Sequence, residues 1–359
     1  MKTIDSYIAR MFVLAFLVAH GGLVFLYYAQ ACLTGLLDKD QSALQTIIYQ
    51  GLHIPMIAVQ LAPPSTLIAT VMTLSGLNRT AELTACYSLG IGIQRIVSVI
   101  LGLVAVLAIV LFVAQDRILP PVHKVKTLYY WQKIKQRADF VLDIQQDKIW
   151  YRSKNLIYNL RAFDPKENRI VGMTVYGFDD KFRLAQLVQA ESARYTNNGW
   201  KLQKGVITEI PTTDPFPVVR PFEEMKLAIQ EKPRDFQELD KEVDGLKTAP
   251  LFKYIKQLKY AALDTKSYEV ALHSRFSLSL MPFVMCLLGV PFAIGNRREG
   301  GAARDLVACM GVTFLYWILF SISLSMGQAG TVNPVFAAWA PSVIFLVLAI
   351  YALNAKAQR

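Results

Sequence analysis

The chain has 359 residues, 53% hydrophobic and only 18% charged, with a formal net charge of +11. Its apolar residues are gathered into blocks, which excludes an ordinary soluble domain: lipid cannot hydrogen-bond exposed backbone, so uncharged blocks longer than about 18 residues read as membrane-spanning helices. The excess of Lys and Arg needs no nucleic-acid partner, because much of it falls in short loops between such blocks.

Six blocks qualify: Met11–Leu37, Thr46–Leu77, Ile93–Ala114, Phe276–Ile294, Leu306–Met326 and Val335–Leu353. The first has a signal-like Ala29-Gln30-Ala31 near its end, but it is longer than a signal core of roughly 7–15 residues and reads as an uncleaved span. Lys2, Arg10, Arg79, Arg95, Arg297, Arg298, Arg304, Lys356 and Arg359 fall on one side, against Lys39 in the short loops of the other. The positive-inside bias therefore predicts that both termini are cytoplasmic and that the central segment lies across the membrane from them.

The second block carries Pro55 and the pair Pro63-Pro64. A proline inside a helix removes a backbone hydrogen bond, so a bend or an unwinding is expected at Pro63 and Pro64, either as a packing kink or as a flexible, hinge-like seam along a cavity. Next comes Asn78–Gly92, a polar interruption that reads as one compact helix. Thr80 is its expected N-cap, Glu82 sits in the first turn where the dipole favours an anion, and Gly90 is placed for a left-handed C-cap. Leu83, Cys86 and Tyr87, at i, i+3 and i+4, share one face and form a ridge suited to a groove. Two readings are open: an interfacial turn in which Glu82 only serves the dipole, or a docking element.

Beyond the third block the composition changes to that of a soluble domain. Alternation marks strands at 156–161, 174–178 and up to Tyr195, with a tight turn at Asn197-Asn198-Gly199 and a return through Trp200. The expected class is an α-helical membrane protein with six transmembrane helices and an inserted antiparallel β domain, a curved meander or jelly roll. Its expected parts are 1–118 (three spans, with the short helix at 78–90), 119–267 (the β domain with flanking helical segments) and 268–359 (three spans). Trp150, Leu156, Tyr158, Tyr176 and Phe178 are candidates for the inner face of the β domain, as core or as acyl-chain shelter. Leu251, Ile255 and Leu258 share an apolar helical stripe before the fourth span.

Chemistry is sparse. The apolar cores of the blocks hold no Asp, Glu, Lys or Arg, and His20 and His53 read as packing residues rather than proton relays. No phosphate loop and no metal or nucleophile pattern is present, and the four cysteines form no disulfide framework. The chain is expected to be non-catalytic, with no cofactor of its own and an external source of energy.

Several motifs occur in an order that resembles a known family. They are Leu77-Asn78-Arg79-Thr80-Ala81-Glu82-Leu83 through Ser88-Leu89-Gly90, Lys148-Ile149-Trp150-Tyr151, Val175-Tyr176-Gly177-Phe178-Asp179, Gly199-Trp200-Lys201-Leu202, and Leu272-His273-Ser274-Arg275-Phe276 before Pro282. With six spans and a β domain after the third, the chain resembles the LptF/LptG permeases of lipopolysaccharide export, and LptG more than LptF. The resemblance implies an inner-membrane permease with a periplasmic jelly roll, paired with a second, LptF-like permease on a dimeric cytoplasmic LptB-like ATPase that binds ATP and Mg. A single-span LptC-like subunit and an LptA-like periplasmic bridge complete the implied set.

By the same likeness, residues 78–90 are the coupling helix, with Glu82, Leu83, Cys86, Tyr87 and Gly90 as its ATPase-coupling residues. Lys39 is the implied phosphate contact from this chain, with Lys124, Lys126 and Lys133 as substitutes. The rival readings are a mechanotransmission subunit that never encloses substrate, and a membrane-anchored periplasmic binding or scaffold protein.

Overall fold

A computed structural model describes residues 2–36, 42–134, 142–145, 148–153, 156–164, 168–179, 183–196, 199–210, 216–227, 245–260, 264–293 and 302–357. The chain divides into two compact units, one of Met1–Val122 with Lys266–Arg359 and one of His123–Thr265.

The first unit is helical: α1 (Lys2–Leu36), α2 (Ala43–Arg79), the short α3 (Glu82–Ser88) and α4 (Ile93–Val113) are followed, after the second unit, by α7 (Lys266–Ala293), α8 (Ala302–Ala329) and α9 (Pro334–Ala357). A π-helical turn at Ala114–Ile118 leads from α4 into α5 (Leu119–Tyr129). Among the described residues, six helices are long and apolar enough to cross a membrane, one for each block read from the sequence.

α2 is the central helix of this unit. Four-fifths of its most apolar window (78%) is buried, against 11% for α1. It starts earlier than its apolar block because Ser42 and Gln45 form a reciprocal capping box. It also runs unbroken through Pro55, Pro63 and Pro64, so the expected unwinding does not occur.

Beyond the proline pair, hydroxyls bond back to the helix itself. Ser65 and Thr66 hydroxyls donate to the Leu61 and Ala62 carbonyls at 2.6 and 2.9 Å, and Thr70 to Thr66 at 2.8 Å. Both prolines are buried. α7 approaches α2 closely at Gly289, where a Cβ would lie 3.0 Å from that of Thr70. Polar contacts join the last three helices: Ser277 and Ser342 hydroxyls are 3.0 Å apart, with Tyr316 at 3.4 Å from Ser342.

The second unit holds a seven-stranded antiparallel sheet in sequential order: β1 (Leu142–Gln145), β2 (Lys148–Ser153), β3 (Leu156–Asp164), β4 (Arg169–Phe178), β5 (Leu184–Thr196), β6 (Gly199–Glu209) and β7 (Val218–Leu227). Its helix α6 (Thr248–Tyr260) buries the expected stripe of Leu251, Ile255 and Leu258.

The sheet is a meander with one interruption running across it. The residues Gly172, Glu191, Lys204 and Glu223 do not pair from β4 to β7, although the register is the same on both sides of them. Gly172 and Lys204 take left-handed φ values of 65° and 48°. Burial changes parity at this row: Met173, Val175, Val188 and Ala190 are buried on one side, Ile170, Ala193 and Leu202 on the other.

In an uninterrupted strand Ile170 and Met173 would face opposite ways. Here they share one core with Tyr158, Leu160 and Trp200. The row is therefore a crease that lets both halves of a single sheet feed one interior, a packing relation that a jelly roll reaches with two sheets. Leu156 and Tyr158 join this core, but Tyr176 pairs with Ile157 and so lies on the opposite face, and Phe178 follows it. The side chain of Trp150 lies outside the described residues.

A Cβ at Gly205, next to the crease, would overlap the Gln189 carbonyl and the Phe222 ring. Gly205→Ala is expected to destabilise this unit by about 2 kcal/mol, the usual cost of overpacking. Lys204→Gly, which relieves a left-handed φ, should be neutral or stabilising by up to about 1 kcal/mol. Thermal unfolding of the full chain, followed through the buried Trp200, separates the two.

Candidate functional site

The polar interruption between the second and third spans is shorter than its sequence suggested. Asn78 and Arg79 complete the last turn of α2, and Thr80 closes that helix, its hydroxyl donating to the Gly76 and Leu77 carbonyls at 3.2 and 3.4 Å. Thr80 is thus a C-terminal cap of α2, and the N-cap position of α3 falls to Ala81, which has φ 62°. That left-handed residue costs on the order of 1 kcal/mol and makes the sharp turn from one helix into the next.

The C-terminus of α3 follows expectation. Gly90 has φ 78°, its N–H donates to the Tyr87 carbonyl at 3.0 Å, and the Ile91 N–H donates to Cys86 at 2.9 Å. These paired bonds are a Schellman cap, with Ile91 and Cys86 both packed on the core beneath.

The expected ridge divides. Leu83 is only 3% exposed and sits in a cluster of this chain's own Ile8, Phe12, Leu74, Leu77, Ile96 and Ile100, with Cys86 packed against it. Leu83 therefore does not face outward, because i and i+3 positions of so short a helix are needed to seat it. The outward face carries Thr84, Ala85, Tyr87, Ser88 and Leu89, with Tyr87 at 42% and Leu89 at 73% exposure. Partial burial, and then the neighbouring Cys86, raise the Tyr87 phenol above its ordinary range, so it is neutral at physiological pH.

Glu82 is half-buried, and its carboxylate, close to the exposed Tyr7 phenol of α1, holds that phenol above its ordinary range. Two residues before Tyr7, the Asp5 carboxylate accepts from the Arg95 guanidinium at 2.6 Å, joining α1 to α4. Neither contact was foreseeable from local pattern, since the partners stand 75 and 90 positions apart.

Further along α1, an apolar groove of about 370 Å³ is lined by His20, Gly21, Val24, Phe25 and Tyr28, with Ile54 and Ala58 of α2 opposite. It continues past Ala31, Gln50 and His53. His20 is held by Ser65 at 3.0 Å and stacks on Phe16, and His53 meets Tyr27 edge-on, as packing residues do.

Of the candidate cations, Lys39 lies outside the described residues. Lys124 and Lys126 are on α5 and Lys133 is in the π-helical turn after it (Tyr130–Ile134); Lys124 and Lys133 are exposed and Lys126 half-buried. Two positions apart on a helix, Lys124 and Lys126 do not share a face. Pro63 and Pro64 are buried and do not line the groove.

The burial of one charged residue was not foreseen from the sequence. Arg275, placed just outside the fourth apolar block, is buried within α7, which begins at Lys266. Gln115, from the π-helical turn after α4, donates to its carbonyl at 3.3 Å and to the Ser279 hydroxyl at 2.7 Å. Among the described residues no group of His, Cys, Asp and Glu is arranged to hold a metal ion.

The two faces of α3 predict different mutational behaviour. Leu83→Ala should lower the stability of the helical unit by about 2–4 kcal/mol, as buried leucines do. Tyr87→Ala should change it by no more than about 0.5 kcal/mol. Unfolding of each variant in detergent checks both.

Residues 6–355 match the family of the lipopolysaccharide export system permeases LptF/LptG. The lipopolysaccharide export system permease protein LptG of Haemophilus influenzae is 21% identical over 321 residues, 87% of this chain and 86% of that protein. LptG of Escherichia coli K12 is 23% identical over 217 residues, 59% of each chain.

Proposed function

The chain belongs to the LptF/LptG family of lipopolysaccharide export permeases, is most like LptG, and is a multi-pass inner-membrane protein; from that premise we propose that it is the non-catalytic subunit through which an ATP-driven motor extracts lipopolysaccharide. The observation that carries this reading is the division of α3 into two faces. Leu83 and Cys86 key the helix into this chain's own core, while Tyr87 and Leu89 stand on its exposed side. A seven-residue helix held this way is a stiff handle on the spans.

The outward face takes a groove on one subunit of a dimeric, LptB-like ATPase, which supplies the ATP and Mg chemistry. Tyr87 and Leu89 are its anchors, since buried aromatic and aliphatic tips dominate such contacts. Glu82 and Leu83 act at one remove, setting the position of the helix, and Gly90 ends it so that the exposed face is short. In this arrangement both termini are cytoplasmic and the β unit is periplasmic, in keeping with the positive-inside bias.

A second, LptF-like permease completes the other half of the site. The apolar groove along α1 suits acyl chains, and Lys39, or else Lys124, Lys126 and Lys133, are the candidate cations for the anionic head group. A single-span LptC-like subunit and an LptA-like bridge receive the lipid, and β7, the last strand of the described sheet, offers backbone for strand addition.

The test is purification from native membrane into lipid nanodiscs, reading subunit composition and ATPase rate with and without lipopolysaccharide. The expected result is a stable complex with a soluble ATPase and a second permease, with a lipid-responsive rate. Tyr87→Ala should weaken ATPase association about tenfold, the factor for about 1.4 kcal/mol at an interface anchor. A chain that purifies alone, or a complex indifferent to Tyr87→Ala, would contradict the reading.

A further inference from the structure

The groove between α1 and α2 is closed at one end. Its lining begins at His20 and Gly21 and continues along α1 through Val24 and Phe25 to Tyr28, with Ile54 and Ala58 of α2 opposite. On the other side of His20, toward the start of α1, the seam between the helices is filled: Phe16 packs with Val59 and Ala62 of α2 and with Leu111 of α4. The closed end of the groove is therefore the imidazole itself.

That ring is held on two sides. The Ser65 hydroxyl has one proton and donates it to the Leu61 carbonyl at 2.6 Å, so the 3.0 Å contact between Ser65 and His20 has Nδ1–H as its donor. Ser65 is fully buried. The ring also stacks on Phe16, with centroids 5.2 Å apart and planes 9° from parallel, and Phe16 stacks in turn on Phe12 at 6.4 Å. Position and tilt are both fixed, and the stop does not swing aside.

The dimensions point to one occupant. From His20 to Tyr28 the groove runs roughly 12 Å at 1.5 Å per residue, close to the hydrocarbon depth of one leaflet at about 15 Å. A volume of about 370 Å³ over that length leaves a section about 6 Å across, enough for one extended hydrocarbon chain and too narrow for a helix of about 10–12 Å. No Asp, Glu, Lys or Arg is among its described lining residues.

We propose that His20, set by Ser65 and Phe16, is a stop that measures acyl-chain length: one chain of the exported lipid lies along α1 with its methyl end against the imidazole. The charged head group stays at the membrane surface, since hydrocarbon is a costly place for it, so each chain has a fixed distance in which to fit. A chain that ends short of the ring is accepted; a longer one must buckle. Lipid tails are as apolar as the groove, and the discrimination is steric. His20 is thus a specificity-determining residue, and its bond to Ser65 serves rigidity rather than proton transfer. The inference rests on the lipid-export reading above and names which lipids that site accepts.

The experiment uses the whole complex in nanodiscs, with a photoreactive phenylalanine in place of the groove-lining Phe25. The probes are lipid A analogues that differ only in acyl length, from roughly ten to sixteen carbons in small even steps, an extended chain advancing about 1.2 Å per bond. Capture by the parent should be level up to one length and fall about tenfold at the next, the order expected for methylenes forced into a filled site. His20→Ala removes a ring roughly 4 Å deep and should move that break up by about three carbons.

Gly21→Leu should move the break down by a similar amount. A Cβ at Gly21 meets nothing within 4 Å, and glycine is a poor helix residue, so this variant fills the closed end while leaving the melting temperature unchanged or higher. Capture that ignores chain length in the parent, a break that neither substitution moves, or capture of a protein in place of lipid would overturn the stop. A parent complex that captures none of the analogues would instead remove the reading that this groove takes lipid, and the stop with it.

Discussion

The insertion of Leu83 into the cluster of Ile8, Phe12, Leu77, Ile96 and Ile100 is the interaction on which the rest of the helical unit depends. α3 has only seven residues, too few to be stable in isolation, and its N-cap residue makes no side-chain hydrogen bond. Burial of one leucine, with Cys86 and Ile91 beside it, therefore holds the helix in place and fixes which side faces away. The Schellman cap at Gly90 and the left-handed Ala81 make both turns tight, so little slack separates α3 from α2 and α4. A handle with slack would lose displacement before it reached the spans.

Lipid imposes the second constraint. Backbone groups in the spans need internal partners, and the hydroxyls of Ser65, Thr66 and Thr70 in the buried α2 likewise return to its own carbonyls. α1 has few such neighbours and many outward apolar side chains, as befits a helix that walls a groove. In the other unit, strain is placed in the crease, where Gly172 and Lys204 take positive φ and let one sheet supply both sides of a core. Rigid and yielding parts are thus segregated by how completely each is packed.

The spans, the inserted antiparallel sheet and the Gly90 terminus were legible because each rests on composition, alternation or a single permissive residue. What stayed hidden depended on contacts far along the chain. Thr80 has the chemistry of an N-cap, but its hydroxyl serves α2, because Ala81 takes the turn. The i, i+3, i+4 spacing put Leu83, Cys86 and Tyr87 on one ridge, yet nothing local indicated that Ile8 and Phe12 would cover Leu83 and leave Tyr87 outside. Tyr176 and Phe178 look continuous with Tyr158 in alternation, but strand pairing places them on the opposite face; Lys204 gave no sign of the crease, although Gly172 is a signal that could have been used. Arg275 was missed because the apolar block begins one residue after it, while the helix begins at Lys266.

The measurement that tests the account most directly is photocrosslinking from the groove. A photoreactive amino acid placed at Val24 of α1 or Ala58 of α2, in the complex purified from native membrane, reports what occupies that wall. The account predicts capture of lipopolysaccharide before ATP is added and a fall in capture when ATP is supplied with Mg. Capture that is absent at both positions, or that ATP leaves unchanged, would contradict the claim that this chain encloses the lipid it helps to export.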